Sequence, residues 1–210
     1  MSTAWIVVFV IGAIVVWFYY RNKPRSLASI KRSLHILPAH FIVMDLETTG
    51  LDSRRHEIIE IGAIRANRDS SEHTTFQAFV QPIGKVPKAI TKLTGITQGM
   101  LDENGEPLKK VLQEFSEFAG NLRIVTYNAD FDMAFLHAAA IRSGCGLTFR
   151  NPVSCALKMA RRAWPGRRSY KLADLSRDGG LSQSDSHRAI GDCLRTLTVY
   201  TAAVDILQSI

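Results

Sequence analysis

Polar and apolar positions divide the chain into one long uncharged segment and, after residue 38, a series of shorter periodic segments. The uncharged segment, residues 4–20, has the sequence AWIVVFVIGAIVVWFYY. Its 17 residues are long enough to cross a bilayer as a helix. Trp5 and Trp17 lie near its two ends, where aromatic side chains favour the membrane interface. The pattern predicts a transmembrane anchor at residues 1–20.

Two other structures are compatible with a long apolar segment. A cleaved signal peptide fits less well, because residues 1–5 contain no Lys or Arg and no small-residue cleavage motif follows Tyr20. A buried core helix fits less well, because a helix of this length normally keeps a polar face. The anchor is therefore the favoured interpretation. Residues 21–38 are polar, contain Pro24 and Pro38, and predict a linker.

Segments with alternating or β-branched apolar residues predict strands after the linker. Three of them are FIVMDLE (41–47), EIIEIGAIRA (57–66) and HTTFQAFVQP (73–82). Because the connections between them are short, they predict an antiparallel meander. A fourth segment, RIVTYN (123–128), predicts one further strand.

Apolar positions at helical spacing dominate the rest of the chain. A stripe of Leu, Val and Phe side chains predicts a helix at residues 106–120. Similar patterns predict a mostly helical stretch after Pro87 and helices at residues 130–144, 153–164, 169–176 and 186–207. Residues 39–210 therefore predict one α/β domain in which helices pack on a mixed sheet.

The net charge of +7 is concentrated next to the predicted anchor. Five of the 26 basic residues lie in residues 21–32, which contain no acid, so the other residues have 21 basic against 19 acidic side chains. Lys and Arg beside a spanning helix remain on the cytoplasmic side and contact anionic lipid. The charge therefore predicts a single-pass membrane protein with residues 39–210 in the cytoplasm. It indicates nucleic-acid binding only secondarily.

Candidate chemistry begins at the end of the first predicted strand, where Asp45 and Glu47 are two residues apart. Side chains at positions i and i+2 of a strand project from one face. Two carboxylates held close together repel each other unless a cation lies between them. The pair therefore predicts a metal site, with a solvated strand end and an accidental pair as the alternative.

Further acids occupy comparable positions. Asp130 and Asp132 start the helix that follows RIVTYN. The helix dipole favours acids there, so helix capping is the alternative for Asp130. Asp192 lies in an otherwise apolar helical stretch, where a carboxylate is costly unless it is paired or binds metal. Oxygen ligands of this kind suit hard divalent cations.

Three segments resemble the motifs of a known family, and they occur in the family's order: DLETTG (45–50), NADFD (128–132) and HRAIGD (187–192). They are similar to the three exonuclease motifs of the DEDD superfamily. His187, five residues before Asp192, resembles the DEDDh branch, which includes polymerase proofreading subunits and RNase T. The resemblance covers about residues 40–205. SCALKMA (154–160) departs from it, because many relatives have an acid there.

The resemblance implies a ribonuclease H-like fold and hydrolysis of phosphodiester bonds from the 3′ end, with release of nucleoside monophosphates. It implies two divalent cations, Mg²⁺ or Mn²⁺, held by four carboxylates: Asp45, Glu47, Asp132 and Asp192. Asp45 would bridge the two ions, and His187 would act as the general base. The residues implied in substrate binding are Thr48, Thr49, Gly50, Asn128 and Phe131. For Phe131, core packing is the alternative.

A second basic stretch, residues 158–171, contains six Lys and Arg residues and no acid, with Trp164 and Tyr170 between them. It predicts contact with a nucleic-acid strand, with a solvated helix face as the alternative. The expected partner is the 3′ end of single-stranded nucleic acid, DNA being favoured over RNA. An RNA-preferring exonuclease and an inactive nucleic-acid-binding module at the membrane are the alternative functions. The sequence identifies no protein partner.

Overall fold

A five-stranded mixed sheet forms the centre of the computed structural model, which describes residues 37–180 and 188–209. In chain order, its strands are β1 (His40–Thr48), β2 (Ile58–Asn67), β3 (Thr74–Phe79), β4 (Ile124–Thr126) and β5 (Val153–Cys155). They lie side by side in the order β3-β2-β1-β4-β5. The first three strands pair antiparallel, as the predicted meander requires, whereas β4 pairs parallel with both β1 and β5.

Seven helices accompany the sheet within the part of the chain that the structure describes. They are α1 (Lys88–Thr94), α2 (Gln98–Asn104), α3 (Leu108–Ala119), α4 (Ala129–Ser143), α5 (Ala156–Ala163), α6 (Leu172–Asp178) and α7 (Ala189–Leu207). The helical stretch after Pro87 is confirmed as α1 and α2. The prediction of a mixed sheet with flanking helices is therefore confirmed.

Alternation along β1 sends its side chains to opposite faces of the sheet. Ile42 and Met44 pack in the cluster that also contains residues of α3 and α4. Phe41 and Val43 pack in a second cluster, with residues of α5 and α7. Asp45 and Glu47 continue the series of Phe41 and Val43, so they lie on the side of the sheet that α7 covers.

One predicted element differs from the structure, because a tertiary contact decides it. The predicted helix at residues 153–164 begins as a strand, β5, and only its second part is helical, as α5. Strand β5 pairs with β4, about thirty residues earlier in the chain, and local periodicity cannot show a contact between distant segments.

The predicted second strand is confirmed as β2, and residues 58–64 are buried on both of its faces. Glu60 is therefore a core residue.

The prediction of a single-pass membrane location, with the catalytic domain in the cytoplasm, is wrong. In residues 37–180 and 188–209, no helix combines the length and the apolar character needed to cross a bilayer. The longest of them, α7, has 19 residues and includes Asp192, Arg195 and Asp205. The predicted anchor and residues 21–36 of the predicted linker lie outside the described residues. The described residues also give no support to the predicted membrane partner.

Candidate active site

Three of the predicted metal ligands meet where β1 ends and α7 begins. Asp45 and Glu47 project from the α7 side of β1, and Asp192 is the fourth residue of α7. One carboxylate oxygen from each of the three lies within 4.8 Å of the others. The structure therefore forms a cluster of oxygen ligands of the kind that a hard divalent cation prefers.

The fourth predicted ligand, Asp132, lies beside this cluster rather than within it. It is the fourth residue of α4 and is only 4% exposed. Its charge is the one that most strongly raises the pKa of Asp45, after the effect of burial. Asp45 therefore clusters with Glu47 and Asp192 and is also close enough to Asp132 to be affected by its charge, as expected of a carboxylate shared between two cation sites.

Burial and mutual repulsion make these carboxylates hard to ionise without a cation. Burial, followed by the charge of Asp192, raises the pKa of Glu47 to about 8. Burial raises the pKa of Asp132 to about 7, although hydrogen bonds to its carboxylate oppose the rise. The pKa of Asp45 is raised well above its ordinary value, again mainly by burial. A divalent cation would reverse these shifts, so the cluster fits a metal site.

The raised pKa values predict that the metal-free protein loses stability as the pH rises. In the unfolded chain these carboxylates lose their protons near their ordinary pKa values of 3.8 and 4.5, whereas Asp132 and Glu47 in the folded protein hold them until about pH 7 and 8. The folded state then binds more protons than the unfolded state, so the free energy of unfolding decreases with rising pH. We expect this decrease in EDTA between about pH 4.5 and 8, measured by urea unfolding.

A divalent cation is the control for this prediction. Mg²⁺ added at the upper end of the range should restore much of the lost stability, because it binds only the folded cluster. Asp52, Asp69 and Asp174 act in the opposite direction, because hydrogen bonds from neighbouring side chains lower their pKa values below 3.8. Their effect therefore lies below this pH range. A metal-free stability that stays level or rises across the range contradicts the prediction.

The last residue of β1 and the turn after it contain three of the predicted substrate-binding residues, and internal contacts hold them in place. The hydroxyl of Thr48 donates to the carbonyl of Gly50 at 2.6 Å. Thr49 donates its backbone N–H to the carbonyl of Glu57 and accepts the N–H of Glu57 on its hydroxyl, both at 2.9 Å. A Cβ atom at Gly50 would lie 2.5 Å from the ring of His56, so any larger residue there would require that ring to move. Contact of these residues with a nucleotide stays a prediction.

The other two predicted substrate-binding residues flank the start of α4. Asn128 is exposed, and its carbonyl accepts the backbone N–H groups of Phe131 at 2.9 Å and Asp132 at 3.2 Å. Phe131 is half-buried, with its ring centroid 4.8 Å from that of Phe135. One part of its ring therefore packs against the core, as the alternative predicts, while the other part remains accessible for stacking on a base. The predicted general base, His187, lies outside the described residues.

Comparison with known proteins decides the family. The model of an exonuclease family, RNase_T, matches residues 42–200, most of the chain. The chain belongs to this family. The exonuclease match lies within the predicted domain at residues 39–210, whose exact bounds stay a prediction.

Two named relatives are similar in sequence, one of about the same length as this chain and one much longer. The epsilon subunit of DNA polymerase III from Aquifex aeolicus is 34% identical over 188 residues, which are 89% of this chain and 90% of that protein. The PolC-type DNA polymerase III of Clostridium perfringens is 38% identical over 160 residues, which are 76% of this chain but 11% of that protein. The chain thus spans about a tenth of the length of its PolC-type relatives.

Solved structures of low sequence identity support the fold. Exonuclease I of E. coli, in complex with a dT13 oligonucleotide, matches with a TM-score of 0.65 and 20% identity over 79% of this chain and 41% of that one. At this identity the match shows a shared fold, which confirms the predicted ribonuclease H-like architecture of the domain.

Family membership confirms the predicted enzyme class, a 3′–5′ exonuclease and therefore a hydrolase of phosphodiester bonds. Members of the family use two divalent metal ions, typically Mg²⁺ or Mn²⁺. The clustered carboxylates of this chain fit such ions in ligand type and in number.

Sequence reasoning overlooked three charged residues around the cluster. Arg195 is buried in α7, and its Nη1 lies 2.9 Å from an oxygen of Asp192. Glu60 is fully buried in β2 and forms an ion pair with Arg188 at 2.9 Å. The available signal was a glutamate flanked by isoleucines in EIIEIG, because such a residue is costly unless it is paired.

Proposed function

We propose that this chain is a metal-dependent exonuclease of the DEDDh subtype that removes nucleotides from the 3′ end of single-stranded DNA. The observation that carries the proposal is the meeting of Asp45, Glu47 and Asp192 from two motifs that are far apart in sequence. Asp132, from the middle motif, borders the same cluster. A family match shows the reaction class, and the cluster supplies the site at which that reaction would occur.

The four carboxylates have complementary roles in this proposal. Glu47 and Asp192 would hold one divalent ion, Asp132 would hold a second, and Asp45 would contribute to both sites. Such ions, when bound, would stabilise the charge that develops on the attacking and leaving oxygens of the phosphodiester. The chain's own contribution is to present the four carboxylates together from β1, α4 and α7.

His187 is the proposed general base. An imidazole that is neutral near pH 7 can take the proton of the attacking water on a ring nitrogen as the water attacks the phosphate. Its spacing from Asp192 in HRAIGD supports the role, because the same motif supplies a metal ligand. Thr48, Thr49 and Gly50 form the turn that would border the terminal nucleotide, and Phe131 would stack on its base.

Single-stranded DNA is the favoured substrate because of the named relatives. Solved structures of E. coli Exonuclease I contain single-stranded DNA, including dA16 and dT13 oligonucleotides. Two relatives with at least 34% identity are a subunit and a PolC-type polypeptide of DNA polymerase III. Both observations favour DNA over RNA for this chain.

The experiment compares DNA and RNA oligonucleotides of the same sequence on the purified full-length chain. Each is labelled at the 3′ or the 5′ end and incubated with Mg²⁺, Mn²⁺ or EDTA. We expect immediate release of a labelled mononucleotide from 3′-labelled DNA, a ladder of shortened products from 5′-labelled DNA, and no product in EDTA. Faster hydrolysis of RNA would assign an exoribonuclease, and binding without hydrolysis under all conditions would assign a binding module.

The basic stretch at residues 158–171 contains three exposed arginines, Arg161, Arg162 and Arg168, and none of them forms an ion pair with any described residue. The guanidinium of Arg161 lies over the ring of Tyr170, 5.9 Å from its centroid. Two other cations of the stretch have acidic partners: Arg167 pairs with Asp178, and Lys158 lies 2.9 Å from Asp130. Arg162 and Arg168 are therefore the arginines proposed to contact phosphates.

Replacing both arginines, in Arg162→Ala/Arg168→Ala, is expected to raise KM for single-stranded DNA and leave kcat almost unchanged. Each lost phosphate contact on a single strand reduces the slope of log affinity against log salt by about 0.7. DNA affinity measured by fluorescence anisotropy at several salt concentrations tests this. The control is Lys109→Ala/Lys110→Ala, which removes two exposed cations from α3 on the other face of the sheet. Equal salt slopes for both double variants contradict the assignment.

A further inference from the structure

Glu60 is a buried carboxylate that the proposed reaction does not use. It has no solvent exposure and lies opposite Glu47 in the register of β1 and β2. Its two oxygens accept four hydrogen bonds: from Gln77 Nε2 at 2.6 Å, Arg188 Nη2 at 2.9 Å, Arg188 Nε at 3.3 Å and the backbone N–H of Ala189 at 3.2 Å. Two of the three donor residues are the last residue before α7 and the first residue of α7.

We propose that Glu60 and Arg188 form a positioning pair that fixes the first turn of α7 against β2 and thereby holds Asp192 beside Asp45 and Glu47. The proposal rests on the proposed function, because it assigns a purpose to the position of Asp192. Glu60 contacts neither substrate nor metal in this role, so it is a positioning residue.

A short path of hydrogen bonds connects Glu60 to Asp192. Glu60 accepts the N–H of Ala189, and the carbonyl of Arg188 accepts the N–H of Asp192 at 3.0 Å. The side chain of Arg188, at the N-cap position, does not cap the helix itself. The carboxylate of Glu60, on β2, therefore accepts one of the backbone N–H groups that the start of a helix leaves unpaired. The helix dipole also favours a negative charge at this end of α7.

Close packing at the next residue on the same face of β2 supports this anchoring. A Cβ atom at Gly62 would lie 2.6 Å from the Cβ of Ala189 and 2.7 Å from its carbonyl carbon, so only glycine lets α7 approach this closely. The thiol of Cys193 donates to the carbonyl of Gly62 at 3.3 Å. Strand β2 therefore contacts the first turn of α7 at two positions on one face: Glu60 forms hydrogen bonds, and Gly62 allows close packing.

Arg188 is suited to this position by shape as well as by charge. Its guanidinium forms two hydrogen bonds with Glu60 and lies 5.4 Å from the ring centroid of Phe79. A lysine would keep the charge but lose the planar, two-point contact. Every partner of Glu60 is a hydrogen-bond donor, so the amide NH₂ group of Glu60→Gln would face a donor in either orientation and displace at least one of them.

The test measures Mn²⁺ affinity, kinetics and local stability in Glu60→Gln and Arg188→Lys. We expect Mn²⁺ affinity, measured by titration calorimetry, to fall about 10–100-fold, the usual cost of removing a group that orients a metal ligand. We expect kcat to fall by a similar factor, while KM for single-stranded DNA stays nearly constant. In hydrogen exchange, the N–H of Asp192 should lose protection. The double variant should lose little more than Glu60→Gln alone, because both changes break one contact.

The matched control is Arg65→Lys. Arg65 is also on β2, donates to the backbone carbonyl of Phe118 and lies 4.9 Å from the ring centroid of that residue, but it anchors the end of α3 instead of α7. It should lower the melting temperature and leave Mn²⁺ affinity and kcat unchanged. If Glu60→Gln does not fold, Arg188→Lys provides the same test. The side chain of Arg188 is partly exposed, so replacing it disturbs the core less than replacing Glu60.

Two outcomes separate the positioning role from the proposed function. If the wild-type chain is an active nuclease and both variants lose only thermal stability, as Arg65→Lys does, the positioning role is overturned. If the wild-type chain neither binds Mn²⁺ nor hydrolyses DNA, the proposed function fails instead. Hydrogen exchange at the N–H of Asp192 then still decides whether the Glu60–Arg188 pair fixes α7. If the protection of this N–H is unchanged in both variants, the positioning role is overturned.

Discussion

Replacing Asp45 with asparagine is expected to abolish hydrolysis while the domain stays folded. Asp45 clusters with Glu47 and Asp192, and Asp132 is the neighbouring charge that most strongly raises its pKa. Loss of its charge would therefore weaken both proposed cation sites at once. Removing a residue that only orients a ligand already costs about 10–100-fold, so loss of the shared ligand should lower kcat on the order of 10³-fold or more.

The same substitution should stabilise the metal-free protein at neutral pH, or leave its stability unchanged. Asparagine removes a carboxylate that burial and neighbouring acids make difficult to ionise. The melting temperature in EDTA and the rate at saturating Mg²⁺ are the measurements. The control is Asp130→Asn, which removes an exposed acid two residues before Asp132 and should retain activity. Equal turnover by Asp45→Asn and wild type at matched Mg²⁺ excludes the assignment of a shared ligand.

Local patterns predicted most of the fold, because most of its strands and helices are long enough to show the period of their type. The strands at residues 41–47 and 57–66 differ from β1 and β2 by one residue at each end. Helix α4 ends at Gly144, whose φ of 59° is the left-handed value that favours glycine. Strand β5 was mistaken for the start of a helix, because three residues are too few to show a period.

The site was predictable to the extent that spacing within one element decides it. The two-residue period of a strand places Asp45 and Glu47 on one face, and this needs no tertiary information. The approach of Asp192 depends on α7 crossing β2 at Gly62, which no local pattern encodes. The ion pair between Glu60 and Arg188 joins residues 128 positions apart, and for this reason only the structure shows it.

Replacing His187 with alanine is expected to lower kcat about 10²–10⁴-fold, the usual contribution of a general base. The substitution removes the proposed proton acceptor and none of the four carboxylates, so Mn²⁺ affinity and KM for single-stranded DNA should stay close to wild type. The pH profile gives a second signature. At saturating Mg²⁺, wild-type kcat should fall as the pH is lowered, because a protonated imidazole cannot accept a proton, and this acidic limb should disappear in His187→Ala.

The control for this prediction is His40→Ala, which removes an exposed imidazole from the first residue of β1. His40 is five residues from Asp45, or about 17 Å along an extended strand, so its loss should change neither kcat nor the pH profile. Added imidazole should restore part of the rate of His187→Ala and have no effect on His40→Ala, because it can replace a missing proton acceptor. A His187→Ala enzyme that keeps its rate and its acidic limb would assign the proton transfer to another group.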